Sequence, residues 1–177
     1  QWFDGFGTGL KSKVTLRHVM TQTSGLQHES GDVKLVEHDD RLAYVRSLPA
    51  TVEPGTVFSY SNEASQLLAG VIRAASGKTV DVYLGERLFK PLGIENWSWD
   101  KDPSGQPSTY TGLRMTAMDL AMIGRLIVDR GRFGGKKIID PAFLDEMLRP
   151  SQTLNPNYGL MWWLRPTPNA NGWLGQL

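Results

Sequence analysis

Pro54-Gly55-Thr56-Val57-Phe58-Ser59-Tyr60-Ser61-Asn62 is the stretch on which the reading of this chain turns. An extended approach ends at Tyr60, and a helix-patterned run from Glu63 to Ser76 follows. A tyrosine fixed where a strand-like segment becomes a helix can present its phenol to a cleft. The helix start then holds the amide of Asn62 beside it, the layout of a proton-transfer residue with a substrate-orienting neighbour. Taken alone, Tyr60 is an ordinary half-buried aromatic, and Asn62 an N-cap that could still face a cleft. Ser61 is a second cap candidate with no catalytic role.

Helix signals dominate on either side. Ala64, Leu67, Leu68, Val71, Ile72 and Ala75 follow the i, i+3, i+4, i+7 rule, with Gly77 at the end of the run. Thr15 can cap an earlier helix carrying Leu16, Val19 and Met20, closed by Gly25. A weaker helix is predicted between His38 and Leu48, before Pro49. Thr79 caps a short helix with Val80, Tyr83, Leu84 and Leu88, stopped by Pro91-Leu92-Gly93. Thr116 with Asp119 predicts a capping box, and Asp140-Pro141 a cap with proline at the first helical position. Strands are expected only at Asn96 to Trp99 and Leu160 to Leu164. The fold class expected is α+β, mainly helical with a few short strands, without repeats or an internal linker.

The 177 residues are 40% hydrophobic and 21% charged, an ordinary globular composition. A net charge of +1 gives no electrostatic reason to expect nucleic acid or an anionic membrane as partner. No apolar run reaches the roughly 18 residues of a transmembrane helix, and no charged region followed by an apolar stretch marks a signal peptide. With zero cysteines there is no disulfide, thiolate nucleophile or Cys-based zinc site. His18, His28 and His38 stand ten apart, so no two share adjacent helical turns as a metal pair would. No cofactor is expected either: Gly77-Lys78-Thr79 lacks the first glycine of a phosphate-binding loop, Ile72 standing in its place. Gln1 and the strand-like Gly172 to Leu177 lead us to expect an internal segment of a larger domain.

Five motifs in order resemble class C β-lactamase-like serine hydrolases, a family with penicillin-binding carboxypeptidases, esterases and 6-aminohexanoate-dimer hydrolase. Val14 to Leu26, ending Thr23-Ser24-Gly25-Leu26, is similar to its "T-x-x-x-L-L-x-H-T-S-G-L" segment. Pro54-Gly55 through Tyr60-Ser61-Asn62 resembles "P-G-x-x-x-x-Y-S-N". Pro91-Leu92-Gly93 resembles the "P-L-G-M" turn, Gly112 to Leu120 "G-G-L-x-S-T-A-x-D-L", and Tyr158 to Trp163 "Y-G-L-G-W". Gln22 departs from the pattern where the family often has a histidine, read as a packing variation. The resemblance implies a β-lactamase/transpeptidase-like fold, with residues 1–177 a single partial domain, its helical lobe.

The resemblance also implies a helix-borne Ser-x-x-Lys, then Tyr-x-Asn, then a strand motif. Tyr60 would be the general base and Asn62 the residue orienting the substrate. A free phenol has a pKa of about 10, too high for a base at neutral pH, so a neighbouring lysine ammonium is needed to favour the phenolate. No suitable nucleophile is present. Ser98-Trp99-Asp100-Lys101 has the spacing but follows Tyr60 in a strand-like stretch, and two glycines argue against a helix at Thr8 to Lys11. The serine is expected upstream of Gln1, leaving this segment inactive by itself.

Gly172-Trp173-Leu174-Gly175-Gln176 resembles the "G-x-x-G-Q" of the aminohexanoate-dimer hydrolase type, or else is a stray Gly-rich turn. On the first reading the Trp173 N–H would be an oxyanion-hole donor. Its apolar character would favour neutral esters or amides over carboxylate-bearing substrates. The expected function is thus part of a serine hydrolase acting on ester, amide or β-lactam carbonyls through an acyl-enzyme, with an exported setting favoured by the resemblance. The alternative is a non-catalytic relative that binds a ligand or peptide.

Overall fold

In the computed structural model, residues 5–28 and 33–164 are described. The elements, in order, are a 3-10 helix (Gly9–Lys13), α1 (Leu16–Met20), α2 (Val33–Val36), α3 (Arg41–Ser47), α4 (Asn62–Ser76), α5 (Val80–Leu84), a π-helical turn (Gly85–Phe89), α6 (Lys90–Leu92), β1 (Trp97–Trp99), β2 (Leu113–Met115), α7 (Ala117–Val128), β3 (Arg132–Phe133), β4 (Lys136–Lys137) and α8 (Pro141–Met147). β1 pairs antiparallel with β2, and β3 with β4.

The local signals act as their chemistry requires. Thr15 and His18 form a reciprocal capping box on α1, and Thr116 and Asp119 form another on α7. Asp40 caps α3 through the Ala43 N–H, and Asp140 caps α8 through the Ala142 N–H. α4 is the central helix. Glu63 through Leu67, with Ala69 and Gly70, are all buried, so its first half is enclosed on every side. It ends at Gly77, whose φ of 72° is the left-handed cap that glycine adopts without steric cost.

Two apolar clusters support these elements. Phe6, Val19, Leu26, Leu35, Val45 and Leu67 form one, between α1, α3 and α4; Phe89, Leu92, Ile94 and Leu126 form the other, around α6 and α7.

Several expectations need correction. The chain does turn helically at Gly9–Lys13, in a 3-10 segment that tolerates the glycines because it is only one turn or so long. α1 ends at Met20, with Gly25 four residues past its Thr21 cap in a loop, where a β-carbon would lie 2.1 Å from the Val52 carbonyl oxygen. The helix expected to stop at Pro91-Leu92-Gly93 does end there, at Leu92 with Gly93 as its left-handed cap, but it reaches that point through a π turn. Pro91 lacks an N–H, and the wider π turn just before it accommodates that loss. Leu160 to Leu164 is not a strand; it contributes only the isolated bridge between Tyr158 and Trp163. The Gly134-Gly135 turn, both residues at positive φ, closes a β3–β4 hairpin that we did not anticipate.

Candidate active site

The approach to Tyr60 is built from the backbone outward. Pro54 and Gly55 sit at the centre of a turn closed by the Thr56 N–H donating to the Glu53 carbonyl at 3.2 Å, with Gly55 at φ 87°. From there the chain runs along the Gln22 to Gly25 loop. Gly55 N–H donates to the Thr23 carbonyl and Ser59 N–H to the Gln22 carbonyl, both at 2.8 Å. Ser61 is then the N-cap of α4, its hydroxyl accepting the Ala64 N–H at 3.0 Å. Asn62 is therefore the first residue of the helix, half-buried, and not its cap.

Gln22 is the residue whose role the sequence hid. It is buried, with φ 57°, a conformation that costs a non-glycine residue on the order of 1 kcal/mol. Its Oε1 accepts the Ser61 N–H at 2.9 Å, and its Nε2 donates to the Ser65 hydroxyl at 3.0 Å. The donor at Ser61 is a peptide N–H, so the amide orientation is fixed: oxygen must face it. Ser65 passes the bond on to the Ser61 carbonyl at 2.9 Å. Gln22 is thus more than a packing variation; it ties the loop before the site to the start of α4.

The Tyr60 side chain is 48% exposed. Its ring lies 5.6 Å from that of Trp163 and 6.3 Å, edge-on, from that of Tyr158. The two tyrosines differ sharply in setting. Burial pushes the Tyr158 phenol up to about 12, Gln22 opposing through a hydrogen bond and the nearby Tyr60 adding to the rise. Tyr158 therefore stays a neutral phenol at any pH where a hydrolase works, which leaves Tyr60 as the accessible phenol of the pair. Tyr158 is held by its neighbour Gly159, where a β-carbon would stand 2.0 Å from the Met147 carbonyl oxygen. Only glycine lets this segment lie so close to α8.

Two clefts flank the turn. One, of 220 Å³, is lined by Ser24, His28, Thr51, Ser59 and Ser61 together with the apolar Leu26, Val52 and Val57, and His28 Nε2 lies 2.6 Å from the Ser59 hydroxyl. The other, of 590 Å³, is mainly apolar and lined by Leu148, Pro150, Pro156, Trp162, Trp163 and Leu164, with Asn157. Trp162 and Trp163 in its lining are 39% and 52% exposed.

The alternative Ser-x-x-Lys does not form a site. Ser98 is exposed on β1, and Lys101 is paired with Asp81 at 2.6 Å. Burial raises the Asp81 carboxyl, but the hydrogen bond and charge of Lys101, with other bonds, outweigh it and hold the pKa below the usual range. At Thr8 to Lys11 the lysine donates to the Arg46 carbonyl at 2.5 Å and sits 4.5 Å from the Phe6 ring centre. Burial and then the charge of Arg46 lower its pKa. His18 is in the α1 capping box and His38 stacks on Tyr44 at 3.6 Å. No metal-binding cluster occurs among the described residues, and no helix among them is long and apolar enough to cross a membrane. Trp173 lies outside the described residues.

With this geometry in view, the relatives can be compared. An N-acetylmuramyl-L-alanine amidase of Bacillus subtilis is 21% identical, over 86% of this chain and 46% of its own length. Among solved structures, a candidate β-lactamase from Bacteroides dorei superposes with a TM-score of 0.75 at 24% identity, covering 92% of this chain and 56% of its own. A penicillin-binding protein from Bacillus halodurans gives 0.68 at 20%, covering 89% and 60%. The chain spans about half the length, or less, of the curated relatives it matches. The structural likeness establishes a β-lactamase/transpeptidase-like fold, of which this chain is a helix-rich part. Residues 1–176 match the Beta-lactamase family profile, and the chain belongs to that family.

Proposed function

We propose that residues 1–177 are the helical lobe of a serine hydrolase and that Tyr60 is its general base. The serine and lysine, and the remaining sheet strands, are supplied by other parts of the same protein. The observation that carries this reading is a half-exposed phenol at the start of a buried helix, next to Asn62, in a member of the Beta-lactamase family. The relatives support a hydrolase of this general kind.

In the proposed reaction the serine hydroxyl attacks an ester or amide carbonyl while the Tyr60 phenolate, stabilised by the lysine ammonium, takes the hydroxyl proton. The carbon–oxygen or carbon–nitrogen bond breaks as Tyr60 hands that proton to the leaving group, and an acyl-serine remains. Tyr60, again a phenolate, draws a proton from water, which attacks the acyl carbon; the acid departs as Tyr60 returns the proton to the serine oxygen. Asn62 orients the acyl group, and the Trp173 N–H, with the serine's own N–H, receives the charge that develops on oxygen. Substrates are small esters, amides or β-lactams, the apolar Gly172–Gln176 segment favouring neutral ones.

A fluorophosphonate tests this on the full-length protein. Reaction should label one serine that lies three residues before a lysine on a helix outside residues 1–177. An adduct on Ser59, Ser61 or Ser98, or no adduct, contradicts the reading. Separately, Asn62→Ala should lower kcat/KM; an unchanged value would reject its role in positioning substrate.

A further inference from the structure

We infer that Gln22 is a positioning residue for Tyr60, fixing the phenol for proton transfer through the peptide units on either side of it. This rests on the reading of Tyr60 as general base. The carbonyl of Gln22 holds the N–H of Ser59 at 2.8 Å, and its side-chain oxygen holds the N–H of Ser61 at 2.9 Å. One buried residue thereby sets the residues before and after Tyr60. The same amide donates to Ser65 Oγ at 3.0 Å and lies 3.7 Å from the Met161 sulfur, so it cannot swing without breaking its bond to α4. The Tyr158 hydroxyl meets the same Met161 sulfur at 3.9 Å, and its ring stands edge-on to that of Tyr60.

The backbone conformation argues the same way. A positive φ is one that glycine would adopt without strain, yet the position carries a long polar side chain. Glycine would relieve the strain but remove the amide that grips Ser61. Asparagine also tolerates this conformation, but it is one methylene shorter. The strain is retained together with the reach, and three of its long-range hydrogen-bonding partners, Ser59, Ser61 and Ser65, lie on the segment that presents Tyr60. A base misplaced by about 1 Å can lose on the order of a hundredfold in rate. Gln22 controls a displacement of that kind.

The test is a double-mutant cycle in the full-length protein, read by turnover of p-nitrophenyl butyrate. Gln22→Met keeps the volume and removes the amide. We expect kcat to fall at least about tenfold, with KM within about twofold because no substrate contact is lost. Tyr60→Phe should fall further, and the double variant should be no slower than Tyr60→Phe alone. Gln22→His, which restores a hydrogen-bonding ring, should recover part of the loss. Ser65→Ala, which removes only the second anchor, should show a smaller drop with the same non-additivity; it decides the matter if Gln22→Met does not fold. A wild-type kcat in Gln22→Met, or losses that multiply in the double variant, overturns the inference while leaving Tyr60 as base. Near-normal turnover in Tyr60→Phe instead overturns the reading of the base itself.

Discussion

The core beneath Tyr60 and the core around Phe89 and Leu126 are made of different materials. The second is hydrocarbon: Phe89, Leu92, Ile94 and Leu126, with Trp97 edge-on to Phe89 at 4.9 Å. The first has an apolar base too, but hydrogen bonds cross it. Gln22 holds Ser61 and Ser65, and Gln66 donates to the Pro107 carbonyl at 3.1 Å and accepts the Thr109 N–H at 2.9 Å. Apolar contact is non-directional and gives stability wherever volume is filled. A buried hydrogen-bond network is directional, and each member left unpaired is costly. The difference teaches that directional bonds hold the segment that carries the phenol and the amide, whereas the cluster around Phe89 and Leu126 rests on apolar contact.

Leu126→Ala and Leu67→Ala break each core in turn. Both side chains are fully buried, so each change should cost about 2–5 kcal/mol in denaturant unfolding of the full-length protein. Leu126→Ala should leave kcat per folded molecule within about twofold, because its cluster does not touch the Tyr60 turn. A large kcat loss there would mean the two cores are one functional unit. Gln66→Leu sharpens the contrast. It removes no volume of note but strands the Pro107 carbonyl and the Thr109 N–H, at a cost of about 1–3 kcal/mol. A neutral result would mean water satisfies those groups and the network is not sealed.

Tyr158 provides a pH test. Its folded value of about 12 lies above the ordinary 10.0, so the folded protein keeps a proton that the unfolded chain has lost. Stability is fully present below pH 10 and falls between pH 10 and 12, by up to about 1.4 kcal/mol per pH unit. Tyr158→Phe should remove that component of the slope; an unchanged slope would contradict burial as its cause. The smallest effect belongs to the exposed Arg125–Asp129 pair on α7. Arg125→Ala should cost no more than about 0.5 kcal/mol, and a larger loss would mean the pair is part of the packing.

Much of the helical scaffold was legible because its signals are local. Thr15, Asp140 and Thr116-Asp119 act within four residues of themselves, and the apolar spacing of α4 marks it as a helix. Its burial follows position along the helix more than that spacing: Ser65 and Gln66 are buried and Ala75 is exposed. The function of Gln22 was not legible, because its partner Ser61 lies 39 residues away and a glutamine carries no turn or cap signature. The Leu160 to Leu164 strand failed for a related reason. A strand exists only with a neighbour, and the pattern of one segment does not supply it. The β3–β4 hairpin was readable from Gly134-Gly135 but so short that two residues a side gave no alternation. Motif order located Tyr60 and Asn62 in the chain, while the buried state of Tyr158 that separates the two phenols needed the fold.

The most direct measurement is kcat of the full-length protein with Tyr60 changed to Phe, which removes one oxygen and keeps the ring against Trp163. The account predicts a fall of about a hundredfold or more, with the fold and melting temperature preserved. Turnover within a few-fold of the unaltered protein would contradict it, and the base would have to be sought elsewhere.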